Sequence, residues 1–347
     1  MPISAVDSIT LALEHTKQQL FRPFKLAQWT KLAFVGLLAG ELGSGGCNRS
    51  NFNYSPHHSP VALPGSLGAD PALLAALITA LVVAALAVGI ILLFVSSVMR
   101  FALFDSIVAR QCRIRWEWTY RMRHGWRYFV WRLGYIFLTI AGVVALVGIP
   151  LLYVFAAGWF KHTSEHRSVL VIGGILYFAL LLAVFVGTAV VLVLTKDFVV
   201  PQMALEDIDA TEGWRRLWPM IKAETGAFAG YIGLKIVLAL AAAILIGIAT
   251  LILGLVLAIP TIGLGIIAFL TGRVEGLTWN ANTIALAIVV GCILLAAFLY
   301  LVSLIYVPAI VFFPAYSVHF FAGRYPRLGA VLYPVTVVPN VAPQSPQ

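Results

Sequence analysis

Long apolar stretches dominate the pattern along this chain. Residues 71–99, 133–160, 168–195, 236–272 and 276–323 each run without a single Asp, Glu, Lys or Arg. Each exceeds the roughly 20 apolar residues that a bilayer-spanning helix needs. A sixth segment, 24–42, reads FKLAQWTKLAFVGLLAGEL, with Lys25 and Lys31 towards one end and Glu41 towards the other. It predicts a short span whose lysines snorkel to the interface, or a half-inserted helix. Two stretches are too long for one crossing. In the fifth, Pro260 predicts a helix ending near Ile259, followed by a short outer-leaflet or re-entrant piece at 261–270. In the last, Pro308 and Pro314 predict kinks where the helix leaves the membrane.

The fold expected is all-α: a polytopic transmembrane helical bundle of about six spans, near 24–42, 71–99, 133–160, 168–195, 232–259 and 284–313. These form one membrane domain over 1–334, and the proline-containing tail 335–347 reads as disordered and cytosolic. Composition agrees, with 61% hydrophobic and 11% charged residues and a mean hydropathy of +0.96. Ordinary soluble domains carry about 25% charge. No cleavable signal peptide is evident in residues 1–31.

Charge orients the spans. Of 23 lysines and arginines, six spans with an internal N-terminus leave only Arg49, Lys161, Arg167 and Arg273 outside, so 19 fall inside. That asymmetry is the positive-inside rule, and it places both termini in the cytoplasm of a bacterial-type inner membrane. The net charge of +9 therefore points to anionic lipid at the inner face rather than to nucleic acid.

Three stretches share one order: a charged aromatic lead-in, a span, an outer loop, and a second span with a Phe/Pro-rich exit. The lead-ins are 13–40, 118–142 and 213–240, with Trp29, Trp131 and Tyr231 in equivalent places. The pattern predicts three pseudo-repeated hairpins with interfacial amphipathic helices, although shared interface chemistry alone produces similar lead-ins. The clearest lead-in is RQCRIRWEWTYRMRHGWRYFVWR (110–132). Ile114, Trp118, Met122 and Trp126 recur every fourth residue as an apolar stripe. A helix lying on the membrane surface would press Trp118 and Trp126 into the lipid and offer Arg113, Arg121, Arg123 and Arg127 to phosphate headgroups.

The inner linkers differ in sign. Residues 100–132 hold eight arginines against Asp105 and Glu117, whereas 197–224 hold six carboxylates against Arg215, Arg216 and Lys222. The two either pair across the inner face or are solvated independently.

Span cores contain no ionisable residue. Glu41, Arg100, Lys196, Asp197 and Lys235 fall at predicted helix ends, where snorkelling suffices, and this disfavours a carrier built on a carboxylate relay. His162, Glu165 and His166 match H-x-x-E-H, but the motif falls in a short outer loop with no evident third ligand. His57 and His58 lie in the Gly/Ser/Asn/Pro-rich loop 43–70. Cys47, Cys112 and Cys292 show no paired spacing. Gly36/Gly40 and Gly226/Gly230 have the G-x-x-x-G spacing of close helix approach. No metal, cofactor or catalytic constellation is expected.

Two segments, RPFKLAQWTKLAFVGLLAGELGSGG (22–46) and KDFVVPQMALEDIDATEGWRRLWPMI (196–221), resemble a family of uncharacterised prokaryotic multi-pass membrane proteins. More distantly the arrangement is similar to the membrane domain attached to some glycerophosphodiester phosphodiesterases. The resemblance implies membrane location and no assigned reaction, since the soluble enzyme's residues have no counterpart in this chain. The functional expectation is a non-enzymatic scaffold or lipid-interacting protein. The alternative is a transporter or channel with a path between the hairpins.

Overall fold

The computed structural model describes residues 3–41, 71–112, 114–156, 167–274 and 281–334, and all regular structure among them is helical. In chain order the helices are α1 (Asp7–Phe21), α2 (Leu26–Ala39), α3 (Pro71–Val108), α4 (Ile114–Ala156), α5 (Arg167–Leu194), α6 (Val200–Glu206), α7 (Ala210–Ala223), α8 (Thr225–Val274), α9 (Ala281–Ala322) and α10 (Pro326–Leu332). A π-helical turn, Thr195–Val199, joins α5 to α6. The H-x-x-E-H sequence, the loop 43–70, Arg113 and the tail 335–347 lie outside the described residues.

Among the described residues five helices are long and apolar enough to cross a bilayer: Ala75–Val108, Trp116–Tyr153, Val171–Glu206, Thr225–Gly263 and Ile284–Ala322. The sixth expected span is α2, whose 14 residues reach about 21 Å at 1.5 Å each, short of a hydrocarbon core of about 30 Å. Gly40 stops it. Its φ of +81° closes the helix in the left-handed cap that glycine adopts without strain.

Pro260 does not end the fifth span. Helix α8 runs through it to Val274, so 261–270 continues the helix instead of forming a separate re-entrant piece. The Thr261 hydroxyl donates to the carbonyls of Leu257 and Ala258 at 2.8 and 3.0 Å. Such a contact re-satisfies backbone groups in the turn a proline loosens. The lead-in at 114–132 is likewise no separate surface helix, because α4 carries it into the apolar stretch without a break.

The packed core sits at one end of the long helices, here called the base. Leu20, Leu32, Phe101, Phe198, Met203, Tyr231, Val311 and Phe320 are all buried there. Phe198 is central, with its ring centroid 5.1 Å from both Tyr231 and Phe321, and Tyr231 stacks on Phe320 at 4.6 Å. Away from the base the helices are bare: Leu86, Ile149, Phe185, Leu251 and Leu295 are all more than half exposed. These rods are apolar on every side, the surface expected of helices solvated by lipid. Both ends of the described chain meet at the base, where an Arg324 Nη1 donates to the Ile3 carbonyl at 3.0 Å.

Candidate functional site

The residues expected to snorkel converge instead. At the end of α2, beyond the Gly40 cap, Glu41 turns inward and pairs with Lys196. Asp197, next in sequence, pairs with Lys235 of α8 and accepts from the Tyr231 hydroxyl at 3.0 Å. Neighbouring positions of a helical turn face different sides, which produces this divergence, and the turn here is π-helical. Pro201 has no N–H to continue the regular ladder, and Val200 N–H reaches back to the Thr195 carbonyl. The widened turn presents Lys196 to α2 and Asp197 to α8.

Arg100 of α3 joins from another side. Its two terminal nitrogens donate to the Tyr128 hydroxyl and the Ala39 carbonyl, each at 3.0 Å. Arg132 donates to Ser96 Oγ at 3.2 Å. The side chains of Glu41 and Asp197 are each only 2% exposed. Burial works to raise the Glu41 carboxyl, but the charges of Lys196 and Arg100 outweigh it and hold the group below the ordinary carboxylate value. A cavity of about 30 Å³, lined among others by Glu41, Arg100, Lys196 and Asp197, opens at the centre. That is room for a water between polar groups. Two carboxylates face three cations, so the junction carries an excess positive charge. Among the described residues no three His, Cys, Asp or Glu side chains converge to hold a metal.

The junction was missed because each member reads singly as a helix-end charge. The available signal was that Arg100, the Lys196/Asp197 pair, Lys235 and Glu41, of opposite signs, all stand at the same ends of their apolar stretches.

A second polar layer joins the linkers 100–132 and 197–224. Arg127 pairs with Asp207 and Asp209 at 3.1 and 3.3 Å, and His124 approaches Asp207 at 3.1 Å. Arg121 grips Asp105 with two nitrogens at 2.6 and 2.8 Å and donates to the Ala204 carbonyl at 2.8 Å. Arg121 is buried, so it faces the protein interior and not a headgroup. Arg127 is also engaged within the protein, and Arg123 is exposed. Trp118 is half-buried and Trp126 exposed, and both stand against Phe94, with ring centroids 6.5 and 5.9 Å away. Glu206 turns elsewhere, to Arg216, Arg327 and the Tyr325 hydroxyl. Of the G-x-x-x-G pairs, only Gly36 meets a neighbouring helix closely, at Ile310, whereas Gly226 and Gly230 face open space.

A helical protein with five candidate membrane spans and a folded, charge-locked base is thus defined. Residues 3–331 match the model of a family of unknown function, DUF7544, and the chain belongs to that family. No curated protein and no solved structure matches it. These comparisons show no link to the membrane domain attached to glycerophosphodiester phosphodiesterases.

Proposed function

We propose that this chain is a non-enzymatic integral membrane protein that acts as a lipid-interacting scaffold, with its base and both termini on the cytoplasmic side of a prokaryotic inner membrane. One observation carries the reading: beyond the base, the long helices leave apolar side chains exposed on every side. In such helices bilayer lipid, not a neighbouring helix, supplies most of the contact. The lysine and arginine asymmetry supports the orientation, and the anionic lipid of that face is the partner it favours.

The test is purification in a mild detergent, mass spectrometry of co-purified lipid, and reconstitution into liposomes loaded with ions and fluorescent small solutes. Retained anionic phospholipid without solute release supports the scaffold reading, and solute release above empty liposomes overturns it. A second reading, transport, is favoured by the buried junction of Glu41, Lys196, Asp197, Lys235 and Arg100, because clustered ionisable groups at membrane helices are common in ion and proton pathways. Release that depends on Asp197 would favour that reading.

A further inference from the structure

We infer that the cleft between α1, α2 and the end of α3 is a binding site for the headgroup of an anionic phospholipid. The inference rests on the lipid-interacting reading above and gives it a place. The cleft has a volume of about 680 Å³, and Arg22, Lys25, Lys31 and Arg110 all line it. No aspartate or glutamate among the described residues lines it. Among the described residues none of the four cations is paired with a carboxylate. Arg110 donates to Gln18 Oε1 at 2.9 Å, a neutral partner. Elsewhere at the base Arg121, Arg127, Arg216, Arg324, Lys196 and Lys235 all have acidic partners. This cleft therefore gathers four cations that no carboxylate among the described residues compensates, in contrast to those paired side chains.

Four like charges around one cavity repel, and a bound anion relieves that repulsion. The volume falls within the range of about 300–1,000 Å³ typical of small-molecule sites. The surroundings choose the source of the anion. Phe21, Phe24 and Leu26 flank the cations on the chain and are 54%, 59% and 55% exposed. Phe21 and Phe24 both pack on Trp29, each with centroids 5.6 Å apart. A belt of exposed aromatic side chains beside lysines and arginines is the arrangement found at the level of lipid headgroups. A soluble phosphate compound would gain nothing from that apolar rim, whereas a phospholipid uses both, phosphate in the cleft and acyl chains along the rim.

The experiment uses the full chain in zwitterionic detergent, titrated with dioctanoyl phosphatidylglycerol, dioctanoyl phosphatidylcholine and glycerol phosphate, with binding read by calorimetry. The anionic lipid should bind more tightly than the other two. The triple variant Arg22→Gln/Lys25→Gln/Lys31→Gln should weaken it by about a hundredfold, the size expected for three lost cations. The variant Lys25→Arg/Lys31→Arg should retain binding, which separates lost charge from lost folding. Equal binding of phosphatidylcholine would overturn charge recognition, and equal binding of glycerol phosphate would make this a soluble-anion site. Undiminished binding by the triple variant would sink the site yet leave the lipid-interacting reading standing. Solute release from liposomes would sink that reading without touching the site.

Discussion

His15 of α1 and His319 of α9 meet nitrogen to nitrogen, with Nδ1 and Nε2 3.3 Å apart across a sequence separation of 304. His15 Nε2 lies 3.1 Å from the Ile107 carbonyl. A carbonyl only accepts, so this nitrogen carries the hydrogen, and Nδ1 accepts from His319 Nε2–H. His319 Nδ1 then accepts from the Tyr333 hydroxyl at 2.7 Å. This chain of hydrogen bonds ties α1, α3, α9 and the end of α10 together, and it requires both rings to be neutral.

It predicts acid sensitivity. Burial first, and the charge of Arg110 second, hold His15 below its ordinary value. The unfolded chain takes up a proton near pH 6.5 while the folded protein still resists it. The stabilisation is therefore complete above that pH and is lost as the pH falls below it. Melting temperature in detergent, followed from about pH 8 to about pH 5, should drop below roughly pH 6.5. His15→Gln should flatten that drop, and an equally steep fall in the variant would refute the assignment.

Removing Asp197 should be severe. Lys235 and Tyr231 both depend on it, and a buried ammonium left unpaired costs about 3–5 kcal/mol. Asp197→Ala should lower the melting temperature far more than the double variant Asp197→Leu/Lys235→Met, which removes both charges. If the two melted alike, the pair would not be the source of the effect.

Gly125 marks a close approach of α4 to α3. An added Cβ would stand 2.5 Å from Val98 Cγ2 and 2.9 Å from its Cα, which is backbone and has little room to move. Gly125→Ala should destabilise by about 1–3 kcal/mol despite better helix propensity. Gly134, in the same helix, has nothing within 4 Å, so Gly134→Ala should stabilise by up to about 1 kcal/mol. Thermal denaturation of the two variants side by side checks the contrast.

Two arginines that look alike in sequence should separate. Arg121→Ala strands Asp105 and the Ala204 carbonyl and should cost about 3 kcal/mol or more. Arg123 is exposed, and Arg123→Ala should change melting by less than about 0.5 kcal/mol. Similar losses in both would place Arg123 in the packed base as well.

The helical class was legible because its cause is local. A charge-free run of Leu, Ile, Val and Ala as long as 71–99 has one stable state in lipid, with its hydrogen bonds made inside the segment. The opposite signs of the linkers 100–132 and 197–224 were also visible, and Arg127 does reach Asp207 and Asp209. Helix ends were less legible. Pro260 reads as a stop by propensity, but inside a long apolar helix Thr261 supplies hydrogen bonds that let the helix continue. At α2 the deciding feature was a left-handed Gly40, which shortened a segment that hydropathy had drawn longer.

Sequence alone therefore determined that this chain is helical, apolar enough to span a bilayer, and charged at one set of helix ends. Local composition and backbone hydrogen bonding are sufficient for that much. Only the tertiary structure decided which of those charges are used internally and which stand free. Arg121 and Arg123 are two residues apart in one helix, yet a helix turns its neighbours to different faces, so one is locked to Asp105 and the other is exposed. Lys196 and Asp197, adjacent in sequence, reach α2 and α8 separately for the same reason. Partners that lie 155 and 38 residues away leave no periodic trace in the chain, and folding brings them together.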